Sequence, residues 1–161
     1  MYKSIGFIAL LFLLSCKTTT YYIVRHAERA STITMTSDVP LSEVGKQRAQ
    51  ALKDLLQNEN VKHIFSTNYL RTKSTAQPLA DALHVPVELY DPGDTTFVLR
   101  LKAIKGNALI VAHSNTVDDL VNGLTGRREV DGDLSDTQYG DLFIVKKKGK
   151  RLVFEKKHFG N

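Results

Sequence analysis

The chain has 161 residues, 42% hydrophobic and 24% charged, which suffices for one domain with a proper core and is too short for two. Its 22 basic and 17 acidic residues leave a net charge of +5, a mild excess that fits an anionic ligand or an anionic surface. No zinc-finger spacing, RNP-like aromatic pattern or long basic helix is present, so no nucleic-acid partner is expected, and no internal repeat or low-complexity stretch appears.

The first sixteen residues, MYKSIGFIALLFLLSC, carry an early Lys3 and then an apolar run from Ile5 to Leu14. That run is short for a membrane span and has the length of a signal h-region. Cys16 is the only cysteine, so no internal disulfide framework exists. Leu13-Leu14-Ser15-Cys16 resembles the bacterial lipobox. The resemblance implies that Cys16 is acylated and becomes the first residue of the mature chain. It divides the chain into a lipoprotein signal peptide (1–15), a short polar tether (16–19) and a domain (20–161). The domain is then lipid-anchored and extracytoplasmic, at the periplasmic face or the outer membrane. A plain secretory signal with an incidental cysteine, or an uncleaved anchor, are the alternatives.

Beyond the tether the elements alternate. Residues 20–25 read as a strand and 42–57 as a helix, with Ser42 as N-cap and Val44, Leu52, Leu55 and Leu56 as its apolar stripe. Residues 61–66 read as a short strand. A second helix follows over 68–83, with Asn68 as a cap and Pro78 expected to kink it or restart its second half. Residues 85–89 form a third strand. Residues 94–104 open on a capping Asp94 and place Phe97, Val98, Leu101 and Ile104 on one helical face. The nearly all-apolar NALIVAH (107–113) reads as a central strand buried on both sides. A helix over 116–126 closes on Gly126, a polar loop spans 127–140, and the remainder reads as a β-hairpin turning near Gly149. This order predicts a three-layer α/β/α sandwich, a mostly parallel sheet with an antiparallel C-terminal hairpin.

Ligands of such sheets bind beyond the carboxyl ends of the strands. Arg25 and His26 stand at the end of the first strand and His113 at the end of the central one. Arg71 lies in the first turn of the helix after the second strand, and Glu88, Asp91 and Asp94 follow the third. Two histidines, two arginines and a choice of carboxylates suit phosphoryl transfer through a covalent phosphohistidine. An imidazole nitrogen attacks, arginines clamp the phosphoryl oxygens, and a carboxylic acid protonates the leaving alcohol. No metal-ligand spacing is visible, so neither a metal nor another cofactor is expected.

The constellation resembles the histidine phosphatase superfamily, the phosphoglycerate mutase-like family, over residues 20–158. Four ordered segments carry the resemblance: IVRHAER, PLSEVGKQRAQALKDLL, IFSTNYLRTKSTAQPLA and LIVAHSNTVDDLV. One departure is Ala27, where the family more often has glycine. The resemblance implies that His26 is the nucleophile, that Arg25 and Arg71 bind the phosphate, and that His113 donates a hydrogen bond to a phosphoryl oxygen. Arg29, three residues after His26, occupies the position of a further phosphate-binding arginine. Glu28 pairs with Arg29 or Arg71, or lines the pocket. His113 is followed by Ser114 and Asn115 rather than by an acid, which leaves Asp94 as the proton donor, with Asp91 or Glu88 behind it. The expected activity is a metal-independent phosphomonoester hydrolase acting on a small phosphorylated substrate. A protein phosphohistidine phosphatase, and a lipoprotein that binds a phosphorylated ligand without turnover, are the alternatives. The KKKGKR hairpin (146–151) is a solvated turn or a contact with anionic lipid or lipopolysaccharide, and Tyr139 and Asp141 are candidates for the rim of the pocket.

Overall fold

The first strand, β1 (Thr19–Arg25), is buried along its whole length because it lies inside a six-stranded sheet rather than at its edge. The structure, a computed structural model, describes residues 18–30 and 38–160; the expected signal peptide and Cys16 lie outside the described residues. The sheet order is β3-β2-β4-β1-β5-β6, with β2 (Val61–Ser66), β3 (Val87–Leu89), β4 (Asn107–Ala112), β5 (Asp141–Lys148) and β6 (Arg151–His158). The pairs β3–β2, β2–β4 and β4–β1 are parallel, while β5 joins β1 antiparallel and β6 closes the hairpin at the edge. The expected sheet is present.

Side-chain alternation along the strands feeds two separate cores. Tyr22 and Val24 of β1, with Leu109 and Val111 of β4, pack under α1 (Glu43–Leu56) and α2 (Leu70–Leu83) through Leu52, Leu56, Ala76 and Leu79. Tyr21 and Ile23, with Ala108, Ile110 and Ala112, pack under α3 (Phe97–Ala103) and α4 (Val117–Thr125) through Phe97, Leu101, Val117 and Val121. This is the three-layer arrangement. The one polar atom of Tyr21 is satisfied by donating its hydroxyl to the Leu101 carbonyl at 2.8 Å. Both clusters draw on residues from Tyr21 onward, so a chain beginning at residue 18 retains them. No described helix is long and apolar enough to cross a membrane.

Several local expectations are corrected by tertiary contacts. In α1 the buried face is Gly45, Arg48, Ala49, Leu52 and Leu56, while Val44 and Leu55 are 54% and 42% exposed. Ser42 does cap α1, accepting from the Gly45 N–H at 3.0 Å. Asn68 does not cap α2: its Oδ1 accepts from Lys73 Nζ, and the Leu70 N–H is taken by Asp38 from a distant loop at 2.7 Å. Helix α2 continues through Pro78 as one helix to Leu83. Helix α3 begins at Phe97 rather than Asp94, because Asp94 Oδ1 accepts from the backbone and hydroxyl of Thr96 and holds the chain in a turn before the helix. Strand β3 is reduced to three residues.

Helix α1 approaches the end of β1 through Gly45, where a Cβ would collide with the backbone carbonyl of Glu28. Glycine in a helix ordinarily costs roughly 0.5–1 kcal/mol relative to alanine, so alanine should stabilise here on propensity alone. The collision is with backbone, which cannot rotate away, and it decides the sign. Gly45→Ala is expected to destabilise residues 18–161 by about 1–3 kcal/mol, read as a lower midpoint of urea unfolding; an unchanged or raised midpoint would show that α1 is free to shift.

Candidate active site

The parallel strands β1 and β4 run in register, Arg25 opposite Ala112, so the next residue of each chain stands at the sheet's carboxyl edge. His26 extends the ladder by one bond, its N–H donating to the Ala112 carbonyl at 2.9 Å. His113 begins the turn into α4, its N–H donating to Thr116 Oγ1 at 3.1 Å. The two imidazoles meet edge to face with centroids 5.5 Å apart, and both are buried, 5% and 9% exposed. Each histidine is flanked by an arginine. Arg71, from the first turn of α2, brings Nη2 to 3.4 Å from His113 Nδ1. Arg25 is 7% exposed, and its Nε–H has no partner among the described residues.

Hydrogen bonds orient both rings. His26 Nδ1 lies 2.8 Å from the Ala27 carbonyl, which can only accept, so Nδ1 carries the proton and Nε2 keeps its lone pair. His113 Nε2 lies 2.8 Å from Thr67 Oγ1, and Thr67 is within 3.0 Å of Thr72 Oγ1. A hydroxyl has one proton. If Thr67 donates to Thr72, it accepts from His113 Nε2–H; if it donates to Nε2, His113 holds its proton on Nδ1. Arg71 Nη2, 3.4 Å from Nδ1, can only donate, and the Thr72 hydroxyl is itself spent on the Thr67 and Tyr69 carbonyls, so His113 carries its proton on Nε2 and gives it to Thr67, whose hydroxyl holds that tautomer by donating to Thr72.

Burial and the flanking cations act in the same direction on these rings. Burial foremost, then Arg71, His113 and Arg25, pushes His26 down to about 3, against the opposing bond to the Ala27 carbonyl. Burial, then Arg71 and Arg25, pushes His113 down to about 4. Both are neutral at physiological pH, so the positive charge in the cleft is that of the arginines. No carboxylate is among the largest influences on either ring.

The structure brings together His26, His113, Arg25 and Arg71, and leaves the other candidates outside. Asp94 accepts from Thr96 with one oxygen and from Arg100 Nη2 at 2.7 Å with the other; these contacts, the Thr96 hydroxyl first, hold its carboxyl below the ordinary aspartate range. An acid that must arrive protonated is poorly served there. Asp91 Oδ1 accepts from the Gly93 N–H, and Glu88 lies 3.6 Å from His63. Arg29 has an exposed side chain and a backbone bridge to Leu41, and it acts on Arg25 as a neighbouring like charge. Glu28 pairs with neither Arg29 nor Arg71: both its oxygens accept from the buried Arg48 of α1, at 2.7–2.9 Å. Asp141 is held by Lys156, Gln138 and His158 rather than at the rim.

Three features were not foreseen from sequence. Thr67 has the tautomer-setting position described above. Arg25 Nη1 donates to the carbonyls of Ser135, Asp136 and Gln138 at 2.7, 3.3 and 3.2 Å, pinning the 127–140 loop over the strand end. Each arginine also stacks on a tyrosine, Arg25 over Tyr139 at 4.2 Å and Arg71 over Tyr69 at 4.4 Å. The tyrosine beside the RT pair of α2 was the available signal for the second stack; for the first, Tyr139 is the rim candidate of the 127–140 loop, its ring 6.2 Å from that of His26, while the carbonyl contacts of the loop had no signal. Ala27, the departure noted in the RHA triplet, is accommodated because its methyl packs with Leu41 and Ala49, while its N–H donates to Thr75 Oγ1 at 2.9 Å.

A sequence model of the histidine phosphatase superfamily (branch 1) matches residues 21–92. The chain has histidine phosphatase superfamily homologues. Among its relatives, "Probable phosphoglycerate mutase GpmB" of Yersinia pestis (strain Pestoides F) is 38% identical over 65 residues, which are 38% of this chain and 30% of that protein. The chain thus spans under a third of the curated relatives it matches. Solved structures share the whole fold. The protein histidine phosphatase SixA in complex with tungstate superposes with a TM-score of 0.66 at 18% identity, covering 86% of this chain and 96% of that one. The mycobacterial glucosyl-3-phosphoglycerate phosphatase gives 0.62 at 12% identity, covering 88% and 98%. The fold is that of histidine phosphatase and phosphoglycerate mutase-like structures, and the family match spans β1, α1, β2, α2 and β3, which supply His26, Arg25, Thr67 and Arg71.

The depressed histidines tie folding to pH. Unfolded histidine titrates near 6.5, whereas these two titrate at about 3 and 4 in the fold. Between those values the unfolded chain binds more protons, so stability rises with pH and is lost as pH falls from 6.5. The urea midpoint of residues 18–161 should drop from pH 7 to pH 4, and His26→Asn and His113→Asn should each make that drop smaller. Equal drops in all three proteins would show that the imidazoles are not held neutral.

Proposed function

We propose that this chain is a metal-independent phosphatase that works through a phosphohistidine on His26. The observation that carries the reading is the His26 Nδ1 bond to the Ala27 carbonyl, which leaves Nε2 as an unprotonated nucleophile between two arginines. Nε2 attacks phosphorus as the bond to the leaving group breaks. Arg25 Nε–H and the Arg71 guanidinium meet the negative charge on the equatorial oxygens. His113 donates from Nδ1 once Arg71 has moved from that nitrogen onto the phosphoryl oxygens and the Thr67 hydroxyl has turned its proton to Nε2. Water then attacks phosphorus, the P–N bond to His26 breaks, and inorganic phosphate leaves with one proton released.

The leaving group refines the substrate class. An alkyl ester releases an alkoxide that needs a proton donor, and the aspartates that follow the third strand are engaged elsewhere, Asp94 by Thr96 and Arg100 and Asp91 by the Gly93 N–H. A phosphohistidine releases neutral imidazole once its free ring nitrogen has taken a proton from water, which an imidazole nitrogen does near neutral pH, and an aryl ester releases a stabilised phenolate. Neither needs a strong positioned acid. The geometry therefore favours phosphohistidine, the protein phosphohistidine phosphatase reading, over alkyl phosphomonoesters. SixA, a fold neighbour, is described as a protein histidine phosphatase.

In EDTA, residues 18–161 should hydrolyse p-nitrophenyl phosphate, and His26→Ala should lose the activity by at least about a thousandfold with an unchanged far-UV spectrum. Full activity in that variant would end the phosphohistidine mechanism; no activity in either protein, with phosphate still bound, would indicate a binding protein. Rates should fall steeply from phosphohistidine and aryl phosphates to alkyl phosphates, and equal rates across that series would mean that a proton donor is present. Thr67→Val should lower kcat about ten- to a hundredfold, with Thr67→Ser restoring it; an unaffected kcat in Thr67→Val would remove the hydroxyl from the mechanism.

A further inference from the structure

The end of the sheet opposite the histidine cleft carries a concentration of cations that the catalytic reading does not use. Strand β1 begins there, with Thr19 paired to Lys147. The hairpin turns at the same end, Lys148 facing Arg151 across Gly149 and Lys150. Strands β4 and β2 start there too, Tyr21 lying opposite Ala108 and Val61 opposite Asn107, which brings in Lys105 and Lys62. Lys62, Lys105, Lys148, Lys150 and Arg151 are all exposed. Lys147 donates to the Lys102 carbonyl at 2.8 Å, fastening α3 to the same end. Glu59 and the Lys53–Asp54 pair offset this charge only in part. At the cleft end the exposed charges are mixed, Asp91, Asp119 and Asp136 standing alongside Arg29.

Strand β1 begins at the basic end, and Cys16 lies just upstream of it in sequence. It precedes Thr19 by three residues, which reach at most about 11 Å when extended. A lipid on Cys16 would hold the basic end within roughly one Debye length, about 8–10 Å, of the headgroups. The cleft lies a full strand of seven residues away, roughly 20 Å, where the headgroup field is screened.

We propose that this end of the sheet docks on an anionic phospholipid surface, so that the hairpin and the Cys16 lipid engage one leaflet and the histidine cleft faces away from it. The charge complementarity commits the surface to anionic headgroups. The docking is independent of the phosphatase reading and survives its failure.

The test removes the anchor and keeps the surface. Residues 18–161 are sedimented with phosphatidylcholine vesicles with and without phosphatidylglycerol. Binding is expected only with phosphatidylglycerol and should be lost between about 0.1 M and 0.5 M salt. A basic residue near such a surface is worth about fivefold in binding, so Lys148→Gln/Lys150→Gln/Arg151→Gln should weaken it on the order of a hundredfold. Lys46→Gln/Lys73→Gln/Lys157→Gln removes the same charge elsewhere and should change binding by no more than about fivefold. Urea midpoints confirm that both triple variants fold. No binding by the wild type, an equal loss in both triple variants, or tighter binding to a DNA duplex than to the vesicles would each overturn the proposal.

Discussion

The backbone bond from His26 N–H to the Ala112 carbonyl, 2.9 Å long, holds the two histidine-bearing strand ends together. It continues the β1–β4 ladder one residue past the sheet, so His26 inherits the rigidity of a strand buried on both faces. Everything at the site is referred to that edge. Arg71 reaches it from α2, Thr67 from the residue after β2, and the 127–140 loop is fastened to it by Arg25. Side chains built on strand and helix ends keep their geometry better than side chains carried by loops.

A second constraint ties the cleft to the rest of the molecule. Glu28, two residues past His26, holds Arg48 of α1 with both oxygens, and Arg48 in turn donates Nη1 to the Phe159 carbonyl near the C-terminus at 2.8 Å. Gly140 passes so close to this guanidinium that a Cβ there would collide with it, and its φ of 77° also favours glycine. The buried ion pair thus joins the strand end, α1 and the chain after β6. Breaking such a pair from one side leaves an uncompensated buried charge, which is more costly than the pair is stabilising.

The electrostatics follow from the same packing. Two imidazoles removed from water and placed beside two guanidinium groups are held neutral, which keeps a lone pair on His26 Nε2 while the arginines supply the positive field. The tyrosines under those arginines limit their freedom without neutralising them.

The sequence alone determined the element order, the parallel sheet, the buried central strand and the quartet of Arg25, His26, Arg71 and His113. Those features rest on local periodicity and on the topological rule for strand ends, both of which are written into short stretches of chain. The partners of those residues depend on contacts distant in sequence. Asp38 replaced Asn68 at the head of α2, Arg48 claimed Glu28, and Arg25 turned to carbonyls 110 or more residues away. Asp94 looked like an acid because it follows the third strand, yet the turn that delays α3 and the reach of Arg100 occupy both its oxygens. Which residue stands at a strand end is a local property of the chain; which proton, carbonyl or counter-charge it meets there was decided by tertiary packing, because burial leaves each polar atom only the neighbours that the fold brings within reach.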